Sequence, residues 1–159
     1  MKKKLLLFTL IFAFAINFTG CTKTVKSYET NERSKYINEK TYSGGKSTNK
    51  NVLLKKVWLN DVIGDSKIIL DFSYFENAPK YKFSYSERNK VMKLFLKNTN
   101  CKSVKISDTF EENKVIESVK VRESGDTNTL IMIYLNKGKI EYRIDESKDT
   151  NQIVVNIKG

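Results

Sequence analysis

From Val52 onward, short β-branched and aromatic runs alternate with clusters of turn-forming residues, the texture of an all-β chain. The first half predicts four strands, at Val52 to Asn60, Lys67 to Phe75, Tyr81 to Tyr85 and Val91 to Lys97. Gly64-Asp65-Ser66, Asn77-Ala78-Pro79 and Ser86-Glu87-Arg88-Asn89 separate them, each rich in residues that favour turns. Alternate positions within the runs are apolar, so Ile68, Leu70, Phe72, Met92, Leu94, Leu96, Ile131, Ile133, Leu135, Ile153, Val155 and Ile157 are expected to point inward. Each contributes about 1.5–3 kcal/mol if fully buried. Such a set holds a domain of this size without disulfides, and a β-sandwich of two small sheets with polar outer faces is the expected architecture.

The second half, Val115 to Gly159, lays over the first at a shift of 61 to 63 residues. Leu54, Val57 and Leu59 meet Ile116, Val119 and Val121, and Lys67 to Ser73 meets Leu130 to Asn136. Tyr81-Lys82-Phe83 meets Tyr142-Arg143-Ile144, and Met92, Leu94 and Leu96 meet Ile153, Val155 and Ile157. An internal duplication of a four-strand unit is the economical explanation. The connector, Asn98 to Lys114, carries Val104, Ile106 and Phe110 at a spacing that suits either a bridging strand or a short covering turn.

Upstream of Val52 the pattern is different. Lys2, Lys3 and Lys4 precede an apolar run of 14 residues from Leu5 to Phe18, the layout of an export signal. As helix that run would reach roughly 21 Å, short of a hydrocarbon core of about 30 Å. Phe18-Thr19-Gly20-Cys21 resembles the lipobox of bacterial lipoproteins, with Phe18 in the place of the usual Leu. The resemblance implies removal of residues 1–20 and lipidation of Cys21, hence an exported protein held on the extracytoplasmic side of the cell membrane. Residues 22–51 are Thr, Lys, Ser, Asn, Glu and Gly with scattered Tyr and no sustained period, and are expected to be a disordered spacer. If flexible, that tether has an end-to-end distance of about 30 Å.

Removing the leader also revises the charge. The whole chain is +11, but without residues 1–20 there remain 26 basic and 18 acidic residues, a net +8. Half of that excess lies in residues 21–50, so residues 51–159 carry only +4. Interspersed charges on an exported chain argue against nucleic acid as a partner. With Cys21 lipidated, Cys101 has no partner for a structural disulfide and is expected to be a small buried hydrophobe.

The 159 residues include no histidine. The usual general base, the commonest metal ligand and every Ser-His or Cys-His pair are therefore missing. No carboxylates fall at a trusted metal-ligand spacing, Glu111-Glu112 and Asp145-Glu146 read as solvated surface, and no glycine loop has a phosphate-cradling context. No catalytic residue, metal or cofactor is expected, and the chain reads as a non-enzyme.

Binding has clearer candidates. Trp58 sits between inward Val57 and Leu59 where the second copy has Lys120, Tyr134 takes the place of Asp71, and Phe95 that of Asn156. Large rings at outward positions are ligand platforms or are covered by connector residues. Interleaved with Lys and Arg, they suit sugar faces and acidic polymers, because rings pack on C–H faces and cations meet carboxylates or phosphates.

The order of these strands, from the Gly-Asp turn and Lys67-Ile-Ile-Leu-Asp-Phe-Ser through Tyr81-Lys-Phe and Met92-Lys-Leu-Phe-Leu to Gln152-Ile-Val-Val-Asn-Ile, resembles the AMIN domain over Val52 to Gly159. AMIN domains occur beside catalytic modules in cell-wall amidases and in secretins of type IV pilus machines. The resemblance implies a sandwich of two related small sheets, peptidoglycan binding or localisation in the envelope, and no catalysis of its own. The basic residue often found at the start of the family's second strand is Lys67 here, a further candidate contact, and Leu130 stands at the matching site of the second copy. Two functions follow as expectations: a lipid-anchored module that binds peptidoglycan or another wall polymer, or an assembly subunit that meets an envelope protein in a secretin, pilus or wall-enzyme complex.

Overall fold

The computed structural model describes residues 36–37, 40–62, 65–107 and 113–159. The leader, Cys21 and the spacer as far as residue 35 lie outside the described residues, as do Phe110 and Glu111-Glu112. The described chain is all strand and connection: β1 (Thr41–Gly44), β2 (Val52–Val62), β3 (Asp65–Phe72), β4 (Tyr81–Ser86), β5 (Val91–Leu96), β6 (Thr99–Asn100), β7 (Lys105–Ile106), β8 (Ile116–Glu123), β9 (Thr129–Leu135), β10 (Glu141–Ser147) and β11 (Gln152–Lys158). They form a β-sandwich. One sheet has five strands in the order β1-β4-β5-β9-β8; the other has six, ordered β10-β11-β3-β2-β6 with β7 also on β2.

The period-2 pattern causes this arrangement. All twelve residues expected to point inward are 3% exposed or less and join one continuous core. Phe83 of one sheet stacks on Tyr142 of the other with ring centroids 4.4 Å apart, so the two layers interlock directly. Cys101 is free and buried in the same core. The connector resolves as a bridge: β6 and β7 each add a short parallel pairing to the edge of β2, and Val104 packs on the core between them.

Each sheet takes one hairpin from each half of the chain, rather than each half building a sheet of its own. Hairpins β2–β3 and β10–β11 meet where β3 pairs β11, and hairpins β4–β5 and β8–β9 meet where β5 pairs β9. The registers correspond at the same 61 to 63 residue shift. Leu70 faces Ile153 as Ile133 faces Met92, and Val57 faces Leu70 as Val119 faces Ile133. Irregularities in register recur at matching places, between Leu54 and Lys56 and between Ile116 and Ser118.

The spacer expectation is corrected at its downstream end. Strand β1 pairs β4 from Thr41 with Ser84 to Gly44 with Tyr81, Ile37 bridges to Tyr142, and Ser47 to Pro79. Three of the four β1 side chains are exposed, so backbone hydrogen bonds rather than a buried face hold the strand, and no alternation marks it in the sequence. Glu146 of β10 ties this edge to the opposite sheet, its Oε1 accepting from the Tyr81 hydroxyl and the Gly45 amide, both at 3.0 Å.

Gly45 has φ +72°, and a Cβ there would collide with the Pro79 carbonyl, whereas Gly125, at φ +69°, has only the Asn128 amide within 3.8 Å. Left-handed strain alone costs roughly 1–2 kcal/mol. Gly125→Ala should therefore lower stability by about that much, and Gly45→Ala by on the order of 3 kcal/mol or more because backbone must also shift. Denaturant midpoints compare them, and equal losses would show that the close approach at Pro79 contributes nothing.

Candidate functional site

The outer faces of the two sheets carry different chemistry on equivalent frames. On the six-stranded sheet the outward positions are Lys56, Trp58 and Asn60 of β2, Lys67, Ile69 and Asp71 of β3, Gln152, Val154 and Asn156 of β11, and Arg143 and Asp145 of β10, as the cross-strand registers require. This face is a closed polar network. Asp71 accepts from Trp58 Nε1 at 2.8 Å and from Gln152 Nε2 at 2.6 Å, and the Lys56 ammonium sits 5.2 Å from the Trp58 ring centroid. Asp145 accepts from Asn156 at 2.8 Å and from Arg143 at 2.9 Å.

Tyr36 closes the other end of that face. Its ring lies under the Arg143 guanidinium at 5.2 Å and its hydroxyl donates to Asp65 at 2.7 Å, so it reaches from β10 to β3 across β11. Asn156, on the strand it crosses, is only 2% exposed although it faces outward. Trp58 and Lys67 both belong to this face. Trp58 is half-buried and committed to Asp71, while Lys67 lies in register between Asn60 and Asn156.

Phe95 and Tyr134 lie on the opposite side of the sandwich. The four candidates therefore divide two and two rather than sharing one face: β2 and β3 carry one pair, β5 and β9 the other. The division follows from the strand exchange, because Trp58 and Phe95 come from one half of the chain but from hairpins in different sheets.

On the five-stranded sheet the outward positions are Lys82, Ser84 and Ser86 of β4, Val91, Lys93 and Phe95 of β5, Leu130, Met132 and Tyr134 of β9, and Ser118, Lys120 and Arg122 of β8. Phe95 and Tyr134 are about 14 Å apart along the strands, at roughly 3.4 Å per residue, with Leu130 beside Phe95, Val91 beside Tyr134 and Met132, opposite Lys93, between the two levels. Phe95, Leu130, Met132 and Tyr134 are half-buried, leaving apolar surface in contact with water. The Lys120 ammonium leans over Tyr134, 5.2 Å from the ring centroid, and the Tyr134 hydroxyl donates to the Met132 sulfur at 3.7 Å. Lys82, Lys93, Lys120 and Arg122 border the stripe, all exposed, and the carboxylates of these four strands are Glu117 at the β8 irregularity and Glu123 at its end, both exposed. Sequence reasoning selected only the rings; the flanking cations and Met132 enter the site through the β5–β9 seam, which joins the two halves.

No family model, no curated protein and no solved structure matches this chain. Among the described residues no group of His, Cys, Asp and Glu is placed to hold a metal ion, and no helix is long and apolar enough to cross a membrane.

The polar face has a titration signature. Burial and the hydrogen bond to the Asp65 carboxylate push the Tyr36 hydroxyl up to about 12, and burial with the charge of Glu146 raises Tyr81. Unfolded tyrosine ionises near 10. The stability from keeping Tyr36 neutral is thus complete below pH about 10 and is lost as pH rises through about 12. A phenolate absorbance titration should show a late component that Tyr36→Phe reduces by one tyrosine, Tyr81 remaining in it. Ionisation of every tyrosine near pH 10 with the fold intact would contradict the assigned contact.

Proposed function

We propose that this chain is a lipid-anchored, non-catalytic module of the cell envelope that engages peptidoglycan or an acidic wall polymer through the outer face of its five-stranded sheet. The observation that carries the reading is the half-buried stripe of Phe95, Leu130, Met132 and Tyr134 between Lys82 and Lys93 on one side and Lys120 and Arg122 on the other. Rings and a thioether offer packing surface for sugar C–H faces, and the cations meet carboxylate or phosphate. Further support comes from the lipobox-like Gly20-Cys21, the polar stretch that follows it, and the AMIN-like strand order. We also infer an internal duplication, supported by the matching registers and irregularities of the two halves.

In this reading the equivalent outer positions diverged after duplication. One copy of the face kept Asp71 and Asn156 in a satisfied network, and the other acquired Tyr134 and Phe95. The alternative, an assembly subunit of a secretin, pilus or wall-enzyme complex, has one observation in its favour: β8 ends its sheet and pairs only β9 among the described residues.

Sedimentation of the full chain with purified cell walls tests the first reading. Wild type and Trp58→Ala should be retained equally, since Trp58 is on the far side, and Phe95→Ala with Tyr134→Ala should reduce retention at least tenfold, at about 1–3 kcal/mol per stacking ring. A chain that ignores walls but copurifies with one stoichiometric envelope protein after wall digestion would transfer the assignment to the assembly reading.

A further inference from the structure

We infer that the five-stranded face recognises a linear polyanion of the envelope, a polymer with repeating phosphate or carboxylate groups, rather than a neutral glycan. The inference rests on the proposed wall-binding function and assigns the charge and shape of its ligand.

Three observations carry it. Lys82, Lys93, Lys120 and Arg122 are all exposed, and none has an ion-pair partner among the described residues. The opposite face, built on the same frame, mixes its cations with acids: Arg143 is paired with Asp145, and Lys56 lies beside Asp71. The two sides therefore differ in how their charge is met: cations lie beside carboxylates on one, whereas on the other four cations border the stripe unpaired and the exposed acids, Glu117 and Glu123, are confined to β8.

The second observation is spacing. Lys93 and Lys120 flank Met132 two strand steps apart, about 10 Å, and Lys82 and Arg122 flank Phe95 and Leu130 at three steps, about 14 Å. Successive cations on one side of the stripe, Lys120 and Arg122 on β8, are about 7 Å apart, inside a Debye length of about 8 Å at physiological salt, and so act jointly. A small anion needs donors that converge on one point. These cations stand in two diverging rows, Lys120 and Arg122 along β8 and Lys93 and Lys82 stepping from β5 to β4, and the matching ligand carries charges at intervals along its length.

The third is what lies between the rows. Phe95, Leu130 and Met132 form an apolar floor that hydration leaves unsatisfied and that the C–H surface of a sugar or polyol repeat covers. A polyanion threaded along the stripe thereby meets cations at its sides and apolar side chains beneath.

The test uses the full chain in a neutral detergent with long-chain polyphosphate, polygalacturonate and dextran as probes, and purified walls before and after hydrofluoric acid has removed phosphodiester-linked polymers. Binding to one or both polyanions and not to dextran is expected, and the stronger of the two identifies the source as phosphate or carboxylate. Neutralising four charges gives a log–log salt slope of about −3, so a fourfold rise in salt should weaken binding about fiftyfold. Lys93→Gln with Lys120→Gln should halve that slope, and Lys56→Gln with Lys67→Gln on the opposite face should leave it unchanged. Equal, salt-insensitive retention on intact and acid-stripped walls would overturn the polyanion while leaving wall binding standing. Failure to bind walls at all would remove the underlying reading. Capture by mixed micelles of anionic phospholipid, without binding to either polyanion, would overturn the inference in favour of a membrane surface.

Discussion

Pairing of β3 with β11 and of β5 with β9 is the constraint on which everything else depends. Each seam joins strands from different halves of the chain, and until it forms each sheet is two separate hairpins, one of them extended by short edge strands. A two-stranded ribbon is marginal in water. Opposed inward residues, Leu70 with Ile153 and Ile133 with Met92, make the seams favourable, since every one of them is 1% exposed or less. Register then follows from burial, because a slip of one residue at the β5–β9 seam would turn Leu94 to water and Phe95 to the core.

Fixing the inner faces leaves the outer ones free to differ. Trp58 corresponds to Lys120, Lys67 to Leu130, Asp71 to Tyr134 and Asn156 to Phe95, at shifts of 61 to 63 residues. On the six-stranded sheet Trp58 donates to Asp71, Asn156 donates to Asp145 and Tyr36 lies across the face, so much of its polar capacity is spent internally. On the five-stranded sheet the same positions contribute to an apolar stripe bordered by Lys82, Lys93, Lys120 and Arg122. The scaffold is nearly the same twice; the solvent meets two different surfaces.

The strands and the inward residues could be read directly from the chain, because period-2 alternation is a local signal that the fold leaves intact. Val52 to Asn60 and Val91 to Lys97 match β2 and β5 to within two residues. The Lys67 to Phe75 run overshot β3, because Phe75 is apolar and buried while the chain has already left the ladder to donate its amide to Asn151. β1 was illegible, since backbone alone holds it and its side chains record no burial. The site was half legible for a different reason. Outward rings are visible in sequence as exceptions to alternation, but which rings share a face depends on partners outside their own hairpin. Trp58 and Tyr134 looked alike as exceptions. Only the seams separate the first, hydrogen-bonded to Asp71, from the second, capped by Lys120.

Exposed lysines need no ligand to explain them, since they keep sheets soluble and protect edges from stray pairing. That role predicts cations wherever a sheet meets water, interspersed with acids. It accounts for the six-stranded face, where Lys56, Lys67 and Arg143 alternate with Asp71 and Asp145. It does not account for a five-stranded face where the bordering cations have no ion-pair partner among the described residues and apolar side chains stand in the place of polar ones. Solubility alone would disfavour that exchange twice, by concentrating like charge and by wetting Phe95, Leu130 and Met132. Both costs are relieved together by a ligand that is negative along its edges and apolar along its body, and unpaired cations beside an apolar stripe, rather than the number of lysines, are the feature that distinguishes a binding face from a solvated one.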